Sequence, residues 1–256
     1  MTIGAYYCCF DQPAAAHHML SAFRAAYPTS TVVLVNDAGD PVHERIAKKH
    51  DVTHYVSDAI NIGFPGRCDT VDPIVAWIAR LASHLDKFVE PWFTLLEDDV
   101  LVLRPVREQQ LVFDVNGISW NAVLPSAITS DLIQRTRNGA NVVANLREGR
   151  VAYGAMGGSI FRTEFFRRIL ATNDWRADLR RFQALAPSEP SGQTWPYSDT
   201  CLSYLTYLNG GTIGAYADFA ELWMPGVEAK MATKDVAVVN QYKHHYGVAF
   251  DESVLA

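Results

Sequence analysis

The sequence predicts an α/β protein built on a doubly wound sheet, and three observations carry that expectation. The chain opens as strand, helix, strand, helix, strand, the order of a parallel sheet with right-handed crossovers. Residues 31–35, Thr-Val-Val-Leu-Val, form the continuous β-branched run shown by parallel strands buried on both faces. Polar segments follow the apolar runs at Phe10-Asp11, Asn36-Asp37, Asn61-Ile62-Gly63 and Glu97-Asp98-Asp99. Ligands in such sheets sit beyond the carboxyl ends of the strands, so these four segments are expected along one rim.

In chain order, residues 3–10 read as a first strand, and residues 17–27 as a helix with Leu20, Phe23 and Ala26 on one face, ended by Pro28. The run at 31–35 is the second strand and stops at the turn chemistry of Asn36-Asp37-Ala38-Gly39-Asp40. A polar helix over 41–50 and a short strand over 52–56 come next. Ile74, Trp77, Ile78, Leu81 and Leu85 recur at helical spacing, which predicts a helix over 73–88 feeding an acidic strand over 92–99. The second half is less regular. Residues 120–125 read as a strand, 131–148 as a polar stretch, and 151–162 as a glycine-broken strand leading into a helix over 163–171. The charged, proline-bearing segment 176–192 reads as a surface loop. Ser198-Asp199-Thr200 then caps a helix over 201–208, Gly210-Gly211 turns the chain, and 212–216 returns as a strand.

With 256 residues, 49% of them hydrophobic, one large core is more natural than two small ones. A net charge of −6 argues against a nucleic-acid groove, which needs clustered Lys and Arg. Cys8, Cys9, Cys68 and Cys201 have neither metal-ligand spacing nor the density of a disulfide scaffold and are expected to be reduced. No signal-peptide pattern and no apolar run of ~20 residues is found, so a cytoplasmic protein without a transmembrane segment is expected.

Leu95-Leu96-Glu97-Asp98-Asp99-Val100-Leu101 sets three carboxylates inside an apolar run. Bringing three anions together away from water costs several kcal/mol each unless they are neutralised. Hard oxygen ligands select Mg²⁺ or Mn²⁺, ions usually held by one or two carboxylates together with substrate phosphates, so a diphosphate is the expected partner. The alternative is a solvated acidic turn after a short strand.

These residues together resemble the GT-A class of nucleotide-sugar glycosyltransferases: an Asp ending the second strand, Glu-Asp-Asp on the fourth, a Gly-Gly-Ser segment, and an Asp heading a later helix. Leu-Leu-Glu-Asp-Asp-Val is similar to the form of that family's Asp-x-Asp motif found in inverting N-acetylglucosaminyltransferases. The resemblance implies a Rossmann-type, mixed, mostly parallel sheet flanked by helices in one domain, with a nucleotide-binding half over 1–105 and an acceptor-binding half over 106–256. It also implies a metal-dependent transfer of sugar, with inversion, from a nucleoside-diphosphate sugar, a UDP-sugar foremost, to a carbohydrate acceptor. Carried onto this chain, Asp99 ligates Mn²⁺ or Mg²⁺, with His244 or His245 completing the shell. Glu97 and Asp98 act on hydroxyls or through bound water. Asp37 meets the uracil or ribose, a turn-forming Asp being the other reading of that residue. Phe10 and Asn61 complete the donor rim, and Arg67 and Lys243 are candidates for the phosphates, though Arg67 reads equally as a solvated surface residue. Gly157 and Gly158 would let donor sugar or acceptor approach the backbone, or else mark a bulge between packed elements. Trp195 and Tyr197 suit stacking on sugar faces, and Asp199 is the general base or simply the helix cap. A retaining enzyme of the same fold and a sugar-1-phosphate nucleotidyltransferase are the competing readings. Against the second, no Gly-rich basic loop follows the first strand.

Overall fold

The computed structural model describes residues 1–58, 70–117, 120–123, 126–136, 150–153, 157–185 and 198–255. Its centre is a seven-stranded sheet in the order β3-β2-β1-β4-β9-β6-β10. Strands β1 (Gly4–Cys9), β2 (Val32–Asn36), β3 (His54–Ser57) and β4 (Trp92–Leu96) are mutually parallel. Helices α1 (Pro13–Ala26), α2 (Val42–Lys49) and α3 (Asp72–Ala82) make the crossovers between them. Strand β9 (Ile160–Arg162) runs antiparallel between β4 and β6 (Val115–Asn116), and β10 (Ile213–Gly214) restores the parallel sense at the edge. Both halves of the chain therefore contribute to one mixed, mostly parallel sheet.

Successive side chains of a strand point to opposite faces, and the core divides accordingly. Tyr6, Val33, Val35, Phe93 and Leu95 join one cluster with α3, α4 (Ser126–Arg135), α5 (Thr163–Leu170), α6 (Asp174–Leu185) and α7 (Ser198–Leu208). Ala5, Tyr7, Val32, Leu34 and Leu96 join the other, covered by α1 and α2. A small second sheet, in the order β11-β12-β5, joins β11 (Phe219–Glu221), β12 (Val238–Asn240) and β5 (Leu101–Val102). A pair, β7 (Trp120–Val123) and β8 (Arg150–Tyr153), and a last short helix, α8 (Val227–Ala232), complete the described elements.

Three sequence expectations are corrected. The fourth strand stops at Leu96, and the acids occupy a turn closed by a hydrogen bond from the Val100 N–H to the Glu97 carbonyl (3.1 Å) before β5 begins. The apolar residues beyond the triplet belong to the next strand. The first part of the expected loop over 176–192 is helical instead, because Trp175, Leu179 and Phe182 recur at helical spacing and are buried. Asp199 stands inside the first turn of α7, and its carboxylate accepts the neighbouring Thr200 N–H (2.8 Å). No helix among the described residues is long and apolar enough to cross a membrane.

Candidate functional site

Because β1, β2, β3 and β4 are parallel, Phe10, Asp37, Asp58 and the acidic turn lie along one rim. Two of the three acids are almost shut from water, Asp98 at 7% and Asp99 at 4% exposure, which removes the solvated-turn reading. Asp98 accepts the Tyr7 hydroxyl at 2.6 Å, a buried hydrogen bond that reaches from β1 to the turn. Among the described residues the Oδ1 of Asp99 has no hydrogen-bond partner, while its Oδ2 stands 3.7 Å from the Lys243 ammonium.

Crowding and burial show in the protonation of these groups. Burial, then the neighbouring charges of Asp99, Asp98 and Asp199, push the Glu97 carboxyl up to about 8. Burial pushes Asp98 up to about 7 against the opposing hydrogen bond from Tyr7. Burial also raises Asp99, with Lys243 working the other way. Asp199 is pushed up to about 6, again by burial, with the Thr200 N–H opposing. Four carboxyls above their ordinary range mark an acidic cluster short of positive charge.

The C-terminal segment closes against this cluster. After β12 the Tyr242 N–H donates to the Asp99 carbonyl at 2.9 Å, which places Lys243 beside the triplet. The His244 ring packs on Tyr242 with centroids 4.4 Å apart, and His245 packs on His18 of α1 at 4.0 Å. Among the described residues no group of three or more His, Cys, Asp or Glu stands in metal-binding geometry, so Asp99, His244 and His245 are neighbours in the chain's path without forming a ready ligand set. Further on, the Gly247 N–H donates to Gln12 at 2.8 Å and Arg45 of α2 pairs with Glu252.

Asp37 is not the turn former. Asn36 does that work, accepting the Gly39 N–H at 3.0 Å and donating to the Asp40 carbonyl at 2.8 Å. The Asp37 carboxylate instead takes a hydrogen bond of 2.5 Å from Arg80 of α3, whose guanidinium also contacts Cys8 Sγ (3.1 Å) and lies 3.8 Å from Asp58. Burial would pull the Arg80 guanidinium down, and the bond to Asp37 together with the charges of Cys8, Tyr6 and Asp37 outweighs it and holds it above the ordinary range. Phe10 is 39% exposed at the same rim.

Protein atoms fill the space that a side chain would need at both glycines. A Cβ on Gly157 would stand 2.7 Å from Asn240 Oδ1 and 3.2 Å from Glu97 Oε2. Gly158 has φ +79°, a left-handed conformation, and its Cβ would meet the Phe219 ring at 2.6 Å. A side chain at either position would therefore collide with protein atoms. Asn61, Arg67, Trp195 and Tyr197 lie outside the described residues.

Tyr7, Arg80, Glu221 and Asn240 were not singled out by sequence. Arg80 carried a signal, since three residues on from Trp77 it falls on the apolar face of its helix, where an unpaired cation does not belong. The other three offered none, because long-range pairing alone brings them to the acids: β11 sets Glu221 opposite Asn240 of β12.

The seven-stranded, mostly parallel sheet with one antiparallel strand next to β4 is a fold shared with solved GT-A-type glycosyltransferases. In particular, the chain is similar to the solved galactosyltransferase LgtC in complex with donor and acceptor sugar analogues, at TM-score 0.54 and 13% identity over 99% of this chain and 94% of that one. An active-site mutant of LgtC gives TM-score 0.53 at 14% identity, over 99% and 94% of the two chains. The apo form of mouse xyloside xylosyltransferase 1 gives 0.52 at 9% identity, over 94% of this chain and 97% of that one. At these identities the likeness is one of fold. No protein-family model matches the chain, and no curated protein matches it by sequence.

Proposed function

We propose that the protein is a metal-dependent glycosyltransferase that takes sugar from a nucleoside-diphosphate sugar, a UDP-sugar foremost, and delivers it to a carbohydrate hydroxyl. The observation that carries this reading is the buried acidic turn at the strand ends, with the Asp99 Oδ1 unpartnered and the surrounding carboxyls raised for want of positive charge. Such a donor set fits a hard divalent cation, Mn²⁺ or Mg²⁺, held by Asp99 with His244 or His245 the candidates to complete the shell. The cation, when bound, supplies charge neutralisation to the departing diphosphate. The chain's own residues do the rest. Asp37, held by its hydrogen bond from Arg80, accepts from a uracil imide N–H or a ribose hydroxyl. Lys243 meets a phosphate, and Glu97 and Asp98 hold hydroxyls or bound water. Asp199 takes the acceptor's proton as its oxygen attacks the anomeric carbon, which inverts the configuration.

A retaining course of the same fold is the second reading, supported by the charge coupling of Asp199 to Glu97; in it Asp199 would orient the acceptor or steady the donor instead of acting as a base. The anomeric configuration of the product, read by NMR, separates the two. The reading as a whole is tested by calorimetry of UDP with Mn²⁺ and with EDTA, on the wild-type chain and on Asp99→Ala. Binding is expected only with the cation and only in the wild type, while Asp99→Ala keeps its fold because loss of one anion relieves repulsion. Equal UDP affinity in EDTA overturns the metal requirement.

A further inference from the structure

Trp223 stands on the turn after β11, closed by a hydrogen bond from the Met224 N–H to the Glu221 carbonyl at 2.9 Å. It is 55% exposed, yet it is not a loose surface aromatic. Its Nε1–H donates to the Glu221 carboxylate, and Glu221 is only 7% exposed. A buried carboxylate needs hydrogen-bond partners, so the indole edge is fixed by a group that has strong reason to keep it.

The same carboxylate connects the indole to the acids. Glu221 lies opposite Asn240 in the β11–β12 register. Asn240 Oδ1 and Glu97 Oε2 both close on Gly157, standing 2.7 and 3.2 Å from where a Cβ would be. The charge of Asp99 is felt at the Glu221 carboxyl. Trp223, Glu221, Asn240, Gly157 and Glu97 thus form a continuous line from solvent to the acidic turn.

An indole fixed by its N–H edge and open to water is suited to one chemical class of ligand. A pyranose has an apolar C–H face ringed by hydroxyls, and that face packs on an aromatic plane while the hydroxyls remain hydrated. We infer that Trp223 is the platform on which a pyranose ring of the acceptor saccharide stacks, held at the lip of the transfer site by Glu221. The inference rests on the proposed glycosyl transfer and adds to it where the acceptor lies.

Saturation-transfer NMR titrations with the methyl pyranosides of glucose, galactose, N-acetylglucosamine and xylose, and with lactose and cellobiose, test it on the full chain in the presence of UDP and Mn²⁺. The wild type is expected to bind at least one of these sugars, Trp223→Ala to bind it at least about tenfold more weakly, and Trp223→Phe, which keeps an aromatic face, to stay within about threefold. UDP affinity is expected to be equal in all three proteins, and their melting curves check that each is folded. Absence of binding across the sugars, or equal binding by wild type and Trp223→Ala, overturns the platform. Failure of the wild type to bind UDP with Mn²⁺ overturns the transferase reading, a result that the pyranoside titration does not share.

Discussion

At the scale of single residues, the acids of the site are set apart by what touches them. Asp98 has a fixed donor in Tyr7, Asp99 has one oxygen left over among the described residues, and Asp199 accepts the backbone N–H of Thr200. A carboxyl at about 6 is well placed for a base near neutral pH, since it is ionised there yet retains affinity for a proton. Asp199→Asn should therefore leave UDP affinity near the wild-type value and lower kcat by roughly 10²–10⁴. In the wild type, kcat/KM should climb as pH rises through about 6, because the ionised form is the active one. Full turnover in the Asn variant, which serves a helix start as well as Asp does, would leave Asp199 a structural residue. The acids were legible in sequence because three charges in an apolar run demand an explanation. Tyr7 and Glu221 were not, because only strand pairing brings Tyr7 to Asp98 and Glu221 opposite Asn240. Asp37 was legible by position alone, and only its pairing with Arg80 separates it from a turn residue.

At the scale of elements, the C-terminal segment joins the two layers that flank the site. Strand β12 anchors it, Tyr242 and Lys243 set it against Asp99, and beyond them Gly247 and Glu252 tie it to α1 and α2 through Gln12 and Arg45. None of residues 241–255 belongs to the main sheet, so a chain cut after Asn240 should fold. It should bind Mn²⁺ and UDP at least tenfold more weakly, a loss of about 1.4 kcal/mol. Calorimetry on the cut chain decides it, and unchanged affinity would leave the segment outside the site. Val236, Ala237, Val238 and Val239 are all buried and hold the start of the segment in the core. The helix α6 was not foreseen. Its charges outnumber its three core residues, and only the spacing of Trp175, Leu179 and Phe182 reveals the buried face. The acidic turn misled in the opposite way: a turn between two short apolar strands has the same hydropathy as one long strand.

At the scale of the whole molecule, the sheet buries apolar side chains on both faces and leaves its electrostatic strain at one end. Glu97 and Asp98 are raised in the folded chain and ordinary in the unfolded one, so over a range of pH the folded state binds more protons. Stability falls with rising pH wherever that holds. For these groups the range runs from the ordinary carboxyl region up to about 8. Below pH 6.5 the histidines oppose the trend. Burial lowers His17, His18, His43, His50 and His84, with His50 reaching about 4, and a lowered histidine adds stability as pH rises towards 6.5. Between pH 6.5 and 8 the histidines have finished and the acids have not. In EDTA the protein should therefore lose roughly 2 kcal/mol over that window, about 1.4 kcal/mol per pH unit from Glu97 alone, or some ~5 °C in Tm for a chain of this size. A cation bound to the acids requires them ionised, so its affinity grows as pH rises and its binding stabilises only the folded chain. Melting curves at pH 6.5, 7.2 and 8.0 with EDTA should slope downward, and with excess Mn²⁺ the slope should vanish or reverse. Glu97→Gln should flatten the EDTA curve, since a neutral amide has no proton to lose. A flat or rising EDTA curve would mean that the acids are neutralised from within the chain, and a falling curve that Mn²⁺ leaves unchanged would mean that no cation binds where they meet.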